Sequence, residues 1–410
     1  MISDMLSTFS GLPRTAWIIF AGTIVNRLGF MVAPFLVYYL GSRGISTSQT
    51  PYILGALGAG NLVGPLIGGF LADRRGRRTT MVIGLVGVAA SHGLLFIAPN
   101  VVTLALAAML LSVMGSMVSP GASALLAESV GQEKRRTAFS LLHWAVNIGT
   151  AGAGMLGGFL ATKGYWLLFT VDAAGSLAYA VIAATMLPGG TGPKATATGT
   201  AAVKYGYGVV FRDPLMRALL PLFATTIAIY SLTEVGLPLA IRDDGLSATT
   251  LGAMFTLNAA MVVVLQPVAT SVLSGVRPLV VYVVAACLIA VGVALTGVAN
   301  GPWSYAATVA VWSIGEASIG GIHSSIIQSI APEDARGRYQ GAFQWSWGIA
   351  RFTALTAGTA VYAHAGPSVV WWFAAVAGVA AALAVGALAP VINRRTAVSE
   401  PEEKPDAVVQ

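Results

Sequence analysis

Charge and sulfur are both scarce in this chain. Charged residues make up 10% of its 410 positions against 56% apolar ones, and cysteine occurs once, at Cys287. A lone cysteine rules out a disulfide within the chain and, set in an apolar run, argues against redox chemistry. So little charge is incompatible with the two or three soluble domains that a chain of this length would otherwise form. Also missing are a phosphate loop of the G-x-x-x-x-G-K type, ligand spacing among His92, His143, His323 and His364, and an acid, base or nucleophile paired at one place. No ATP, metal or cofactor site and no catalytic residue is therefore expected. An enzyme is the reading these absences disfavour.

Long apolar runs take the place of a charged surface. Mean hydropathy is +0.77, and a bilayer core needs about 20 mostly apolar residues per helix. Twelve such runs can be read, at 14–41, 49–72, 79–98, 102–127, 137–161, 165–187, 214–240, 249–272, 277–298, 302–327, 337–363 and 368–390. Barrel strands would instead show alternating segments of about ten residues. The first run is too long for a signal-peptide core and is expected to stay as the first helix.

Placing the N-terminus in the cytoplasm puts eighteen of the 23 basic residues inside, leaving Arg43, Lys163 and Arg242 outside and Arg27 and Arg351 within helices. That asymmetry predicts both termini inside. The net charge of +7 is then a topology signal, and its spread over every inner loop gives no nucleic-acid patch.

The longest polar break, 188–213, divides six runs from six, and an offset of 201 brings the halves into register. "GISTS" at Gly44 meets "GLSAT" at Gly245, and "QEKRRTAFSLLHWAVNIG" from Gln132 meets "EDARGRYQGAFQWSWGIA" from Glu333, pairing Arg135 with Arg336, Trp144 with Trp345 and Ile148 with Ile349. One offset at two distant places predicts parallel six-helix repeats with a substrate site between them near the midplane. The expected architecture is an all-α membrane protein of two pseudo-symmetric bundles, 1–187 and 214–392, joined by a linker at 188–213 and followed by a disordered tail at 393–410.

"GGFLADRRGRR", from Gly68, places five charges in the six positions 73–78. It closely resembles the signature of the major facilitator superfamily between helices two and three. Its degraded second copy, "TSVLSGVRP" from Thr270, has Ser274 for Asp73 and Pro278 for Arg77. The resemblance implies twelve helices and an inner-side latch of Gly69, Asp73, Arg74, Gly76, Arg77 and Glu128 that must break for inward opening. In physical terms, Asp73 can face a helix N-terminus of the other half, Arg77 can reach Glu128, Gly76 permits the turn and Gly69 a close helix crossing.

Ionisable residues at membrane depth are costly and mark function. Arg27, Asp172, Glu234, Glu316 and Arg351 are the proton-coupling candidates. Glu316 is the acid expected to take a proton on one side and release it on the other, with Arg351 as its neighbour or salt-bridge partner; Asp172 is a possible partner for Arg27. Asn26, Tyr38, His143, Trp144, Asn147, Trp312, Gln344, Trp345 and Trp347 are candidates for an aromatic and amide cavity lining, with core filling as the plainer role.

"NRLG" at Asn26 resembles the first-helix signature of drug:proton antiporters. "LLHWAVNIGTAGAGMLGGFLA" resembles their fifth-helix signature, aligned on Gly149, Ala153, Gly154, Gly157 and Gly158. The central Gly-Pro of that signature is Ala-Gly here, and the family's fourth-helix arginine is missing. The resemblance implies proton-driven export of a small amphipathic compound or drug, hence antibiotic resistance, from a bacterial cytoplasmic membrane by a monomer without cofactors. A proton-coupled uptake symporter for a sugar or organic acid is the alternative.

Overall fold

The computed structural model of the chain describes residues 11–28, 31–130, 134–189, 208–273, 275–332 and 335–399. Among them there is no strand, and helices follow one another through short turns. The first half holds α1 (Arg14–Leu28), α2 (Val32–Ser42), α3 (Thr50–Arg75), α4 (Arg77–Ile97), α5 (Val101–Ser129), α6 (Arg135–Lys163) and α7 (Tyr165–Met186). A short α8 (Gly208–Arg212) leads into the second half: α9 (Pro214–Ser231), α10 (Gly236–Asp243), α11 (Ala248–Val272), α12 (Pro278–Leu295), α13 (Pro302–Ile319), α14 (Ile322–Ile330), α15 (Arg336–Thr353), α16 (Thr359–His364), α17 (Pro367–Ala387) and α18 (Ala389–Ser399).

Among the described residues all twelve expected runs are helical. Among the described residues nine spans are long and apolar enough to cross a membrane. The three that miss that standard are the fifth, tenth and eleventh runs, which carry Asn147, Glu316, Gln344 and Arg351. A helix facing a partner or a watery cavity need not be apolar all round, so polarity here marks position in the bundle.

Four runs read as continuous are broken. The first is split between α1 and α2, the seventh by a 3-10 turn at Leu232–Glu234, the tenth at Gly320 and Gly321, and the eleventh by a π turn at Ala354–Gly358. Gly321 adopts φ +78°, open to glycine at little cost. The tail is corrected too: α18 is helical through Ser399, so 393–399 is ordered, with Ile392 buried. Residues 190–207 of the linker and 400–410 of the tail lie outside the described residues, as do Ser274 and the side chains of Asp73 and His143.

The internal repeat is visible in the backbone. Helices α6 and α15 begin at Arg135 and Arg336, and the turns at Gly44 and Gly245 share positive φ angles of 74° and 71°. Both pairs are separated by 201 residues, the offset of the sequence match.

Within the first half α3 lies along α5, where a Cβ on Gly68 would stand 2.8 Å from Met117 Cα. Gly69, expected to make that crossing, has open space beside it. A one-residue change of helix phase, about 100°, separates the packed glycine from the free one. The two halves meet chiefly where α6 crosses α11 and where α3 meets α15 and its π turn. At the α6–α11 crossing a Cβ on Gly154 would lie 3.0 Å from Gly252 O, and one on Gly158 3.2 Å from Gly252 Cα. The small residues of the fifth run therefore serve close packing between halves.

Candidate functional site

Of the five intramembrane ionisable residues, Arg27, Glu234, Glu316 and Arg351 come to one region beside the breaks in α1/α2, α9/α10 and α13/α14 and the π turn after α15, and Asp172 does not. Arg351, three residues before the π turn, donates from Nε (3.0 Å) and Nη2 (2.6 Å) to Glu234 Oε2, at the 3-10 turn of the seventh run. Both side chains are partly exposed, at 27% and 35%. Arg27, at the end of α1 in the other half, lies within electrostatic reach of both. Its Cβ packs against Gly149 of α6.

Glu316 is held differently. Tyr230 donates its hydroxyl to Oε1 and Asn258 its amide to Oε2, each at 2.7 Å, and Asn258 also donates to Ser313 Oγ at 3.0 Å. The expected Glu316–Arg351 pairing is corrected: Arg351 takes Glu234, and Glu316 takes two neutral donors. Tyr230 stands four residues before Glu234 and is edge-on to Trp312, so its hydroxyl ties the seventh run to Glu316. Tyr230 and Asn258 were missed by the sequence reading, which followed charge and tryptophan. A polar Asn258 in the apolar run "LGAMFTLNAAMVVVL" was the available signal.

Asp172 is 1% exposed and caps α2, accepting from Met31 N at 2.9 Å and Val32 N at 2.7 Å. His92 Nε2 is 3.8 Å away. A carboxylate at a helix N-terminus satisfies otherwise unpaired amides and complements the helix dipole. This buried cap stands apart from the Glu234–Arg351 pair.

The expected cavity lining divides. Trp312 is 2% exposed and belongs to the core beside Tyr230, and Tyr38 donates to Leu246 O at 3.0 Å across the halves, so neither is a free wall residue. Asn26 donates to Ser176 Oγ at 3.3 Å within the first half. Trp144, Asn147 and Trp347 are half-buried, while Gln344 and Trp345 are exposed, Trp345 at 53%.

Further cross-half bonds join Arg242 Nη2 to Thr47 Oγ1 at 2.9 Å, Thr249 Oγ1 to Gly158 O at 3.4 Å and Thr256 Oγ1 to Ala151 O at 3.2 Å. These and the Tyr38 bond lie toward the face away from the basic loop at 73–78. On the basic face Arg77 pairs with Glu128, as expected, Gly76 makes the turn at φ +88°, and Arg74 stacks 4.2 Å over Phe70. There too the Asp213 side chain caps Leu215 N at 3.0 Å and accepts from Tyr339 (2.7 Å) and Arg395 (2.9 Å), docking α18. Burial works against the Asp213 carboxylate, but the bonds from Arg395 and Tyr339 prevail and hold its pKa below the ordinary value.

Two repeated helical bundles with charges gathered between them at membrane depth define a multi-pass membrane transporter. The model of the Major Facilitator Superfamily matches residues 19–355 and 237–410. The chain belongs to that family, whose members are transporters and not enzymes.

It is 25% identical over 346 residues to YqjV of Bacillus subtilis (strain 168), an uncharacterized MFS-type transporter, covering 81% of this chain and 82% of the relative. It is 31% identical over 153 residues to the multi-drug resistance efflux pump PmrA of Streptococcus pneumoniae, covering 36% of this chain and 37% of that one. Among solved structures, a POT family transporter in complex with 5-aminolevulinic acid superposes with a TM-score of 0.77 at 14% identity, over 94% of this chain and 98% of that one. At that identity the likeness is one of fold.

Proposed function

We propose that this transporter exports small amphipathic compounds in exchange for protons, from a bacterial plasma membrane with both termini in the cytoplasm. The observation that carries the reading is Glu316: a carboxylate at membrane depth whose two hydrogen-bond partners are neutral, while the neighbouring guanidinium is committed to Glu234. Protonation removes its charge from a poorly solvated site, and a cationic group of the substrate neutralises it equally well. Proton and substrate thus compete for one acid, which is the requirement of exchange. Similarity to an efflux pump over part of the chain supports the export direction.

The contacts at Thr47, Tyr38 and Arg242 form the outer closure, and rocking of the halves about the α6–α11 seam opens it while the loop at 73–78, with Arg77 on Glu128, closes the inner face. No cofactor takes part; the proton gradient supplies the energy.

The test is movement of the amphipathic cation ethidium in proteoliposomes under an imposed pH gradient. Wild type is expected to concentrate ethidium against its gradient when the opposite compartment is acid. Glu316→Gln is expected to abolish this drive while keeping downhill ethidium exchange. Ethidium movement that ignores the pH gradient would sink proton coupling, and movement only together with protons would overturn the export direction.

A further inference from the structure

The seventh run is broken in its middle, and one unbroken helix spans the break. Helix α9 ends at Ser231, the 3-10 turn takes Leu232–Glu234, Val235 leaves helical geometry at φ −127° and ψ −41°, and α10 starts at Gly236. Helix α13 is fastened to the run on both sides. Before the break, Tyr230 donates its hydroxyl to Glu316 Oε1 at 2.7 Å; after it, Tyr305 donates to Asp244 Oδ2 at 2.8 Å. Tyr305 and Glu316 belong to the same α-helix, about 16 Å apart along its axis. A break splinted on both sides cannot work as a joint until one fastening weakens.

The two fastenings differ in exposure to the exchange. Asp244 lies in the exposed turn beside Gly245, whereas Glu316 is the acid for which proton and substrate compete. A hydrogen bond to a charged acceptor is roughly twice as strong as a neutral one, so neutralising Glu316 by either ligand weakens the Tyr230 bond. Asn258 is less affected, because its amide is shared between Glu316 Oε2 and Ser313 Oγ and holds α11 to α13 through both. Among the described residues the Tyr230 hydroxyl bonds to Glu316 alone. Beyond the break, α10 carries Arg242, whose bond to Thr47 Oγ1 crosses to the other half. Bending at the break therefore reaches the outer closure.

From this arrangement we infer that Tyr230 is a positioning residue: it locks the broken seventh run while Glu316 is charged and without a ligand, and frees it when a proton or a cationic substrate arrives. The inference rests on the proposal that Glu316 is the exchange acid. It adds what competition for one acid does not supply, a reason why the transporter stays put between ligands. A carrier that reoriented without either ligand would pass substrate downhill and return no proton. The groups bearing on Glu316 are Tyr230 on α9, Asn258 on α11 and Ser313 on its own helix; Glu234 and Arg351 act on Tyr230 at longer range, and Arg27 on that pair.

The experiment counts protons returned per ethidium in proteoliposomes with the membrane potential clamped, ethidium running downhill and no pH gradient imposed. Wild type is expected to return about one proton per ethidium, as one shared acid requires. Tyr230→Phe keeps the ring against Trp312 and removes the hydroxyl. Its ratio should fall about fivefold, the scale of one hydrogen bond. Tyr305→Phe cuts the other fastening at a distance from the acid and should lower the ratio likewise, while ethidium binding to this variant in detergent keeps the wild-type affinity. That pairing separates a lost lock from a damaged site.

A wild-type ratio in either tyrosine variant, in protein that elutes as a single monodisperse species, overturns the lock. If Glu316→Gln loses proton return while both tyrosine variants keep it, the lock alone is refuted and the exchange acid stands. Wild type that returns no proton refutes the exchange reading, and the lock with it.

Discussion

Glu316 and Glu234 are chemically alike and are treated differently by their surroundings, one held by a phenol and an amide, the other by a guanidinium. Residue type and depth were enough to single out both acids and both arginines. Which acid pairs with which arginine depends on helix phase and on the breaks near Glu234 and Arg351, and these are set by packing. Asp172 shows the same limit: a deep acid reads as a proton carrier, yet here it meets the freed amides of Met31 and Val32.

Asp213 supplies a residue-scale prediction. Its folded pKa lies below the ordinary value, so the stabilisation it gives α18 is complete above about pH 4, the unfolded value, and is lost as pH falls through the lower folded one. Between pH 5 and 8 hydrogen exchange of the α18 amides, corrected for intrinsic rate, should therefore not change. Arg395→Gln should raise it about fivefold at neutral pH, corresponding to about 1 kcal/mol for a partly exposed pair. Unchanged protection in that variant would show that Ile392 and its apolar neighbours alone dock the helix.

At the scale of elements, the small-residue run of α6 was legible as a packing surface, and its partner was not. Gly154 and Gly158 press on Gly252 and Thr249 of α11, in the other half. A seam of backbone against backbone lets two bundles pivot without separating bulky side chains. Gly154→Leu would drive a side chain into Gly252 O and Thr256, at 3.0 and 2.9 Å from a Cβ. Transport is expected to fall at least tenfold, with membrane expression kept and the fold of each half intact. Near wild-type transport by this variant would show that the seam is not the pivot. Helix breaks were the least legible elements, because "SIGGIH" reads as one apolar run although Gly321 leaves the helix at φ +78°.

For the whole molecule, closure of the outer face is directly testable. Arg242 Nη2 reaches Thr47 Oγ1 at 2.9 Å across the halves, away from the α6–α11 seam, so cysteines at these two positions lie within the span of a short bifunctional reagent. In a background with Cys287→Ser, Thr47→Cys combined with Arg242→Cys should be bridged by a bis-methanethiosulfonate, arrest transport, and recover on reduction. Transport that continues through the bridged form would exclude opening of the outer face at this contact as part of the cycle.

Composition, hydropathy and the offset of 201 by themselves determined that this is a helical membrane protein of two equivalent halves. Those properties are sums over long segments, and a bilayer sorts segments by such sums. The loop from Asp73 to Arg78 likewise announced its family, because its charges and its glycine serve a local turn. The tertiary structure decided the rest: that Gly68 and not Gly69 packs on α5, that Tyr38 bonds across the halves and Trp312 joins the core, and that Arg351 pairs with Glu234 and not with Glu316. Each depends on a rotation of about 100° per residue and on a partner in another helix, and neither is carried by a run of hydrophobic letters.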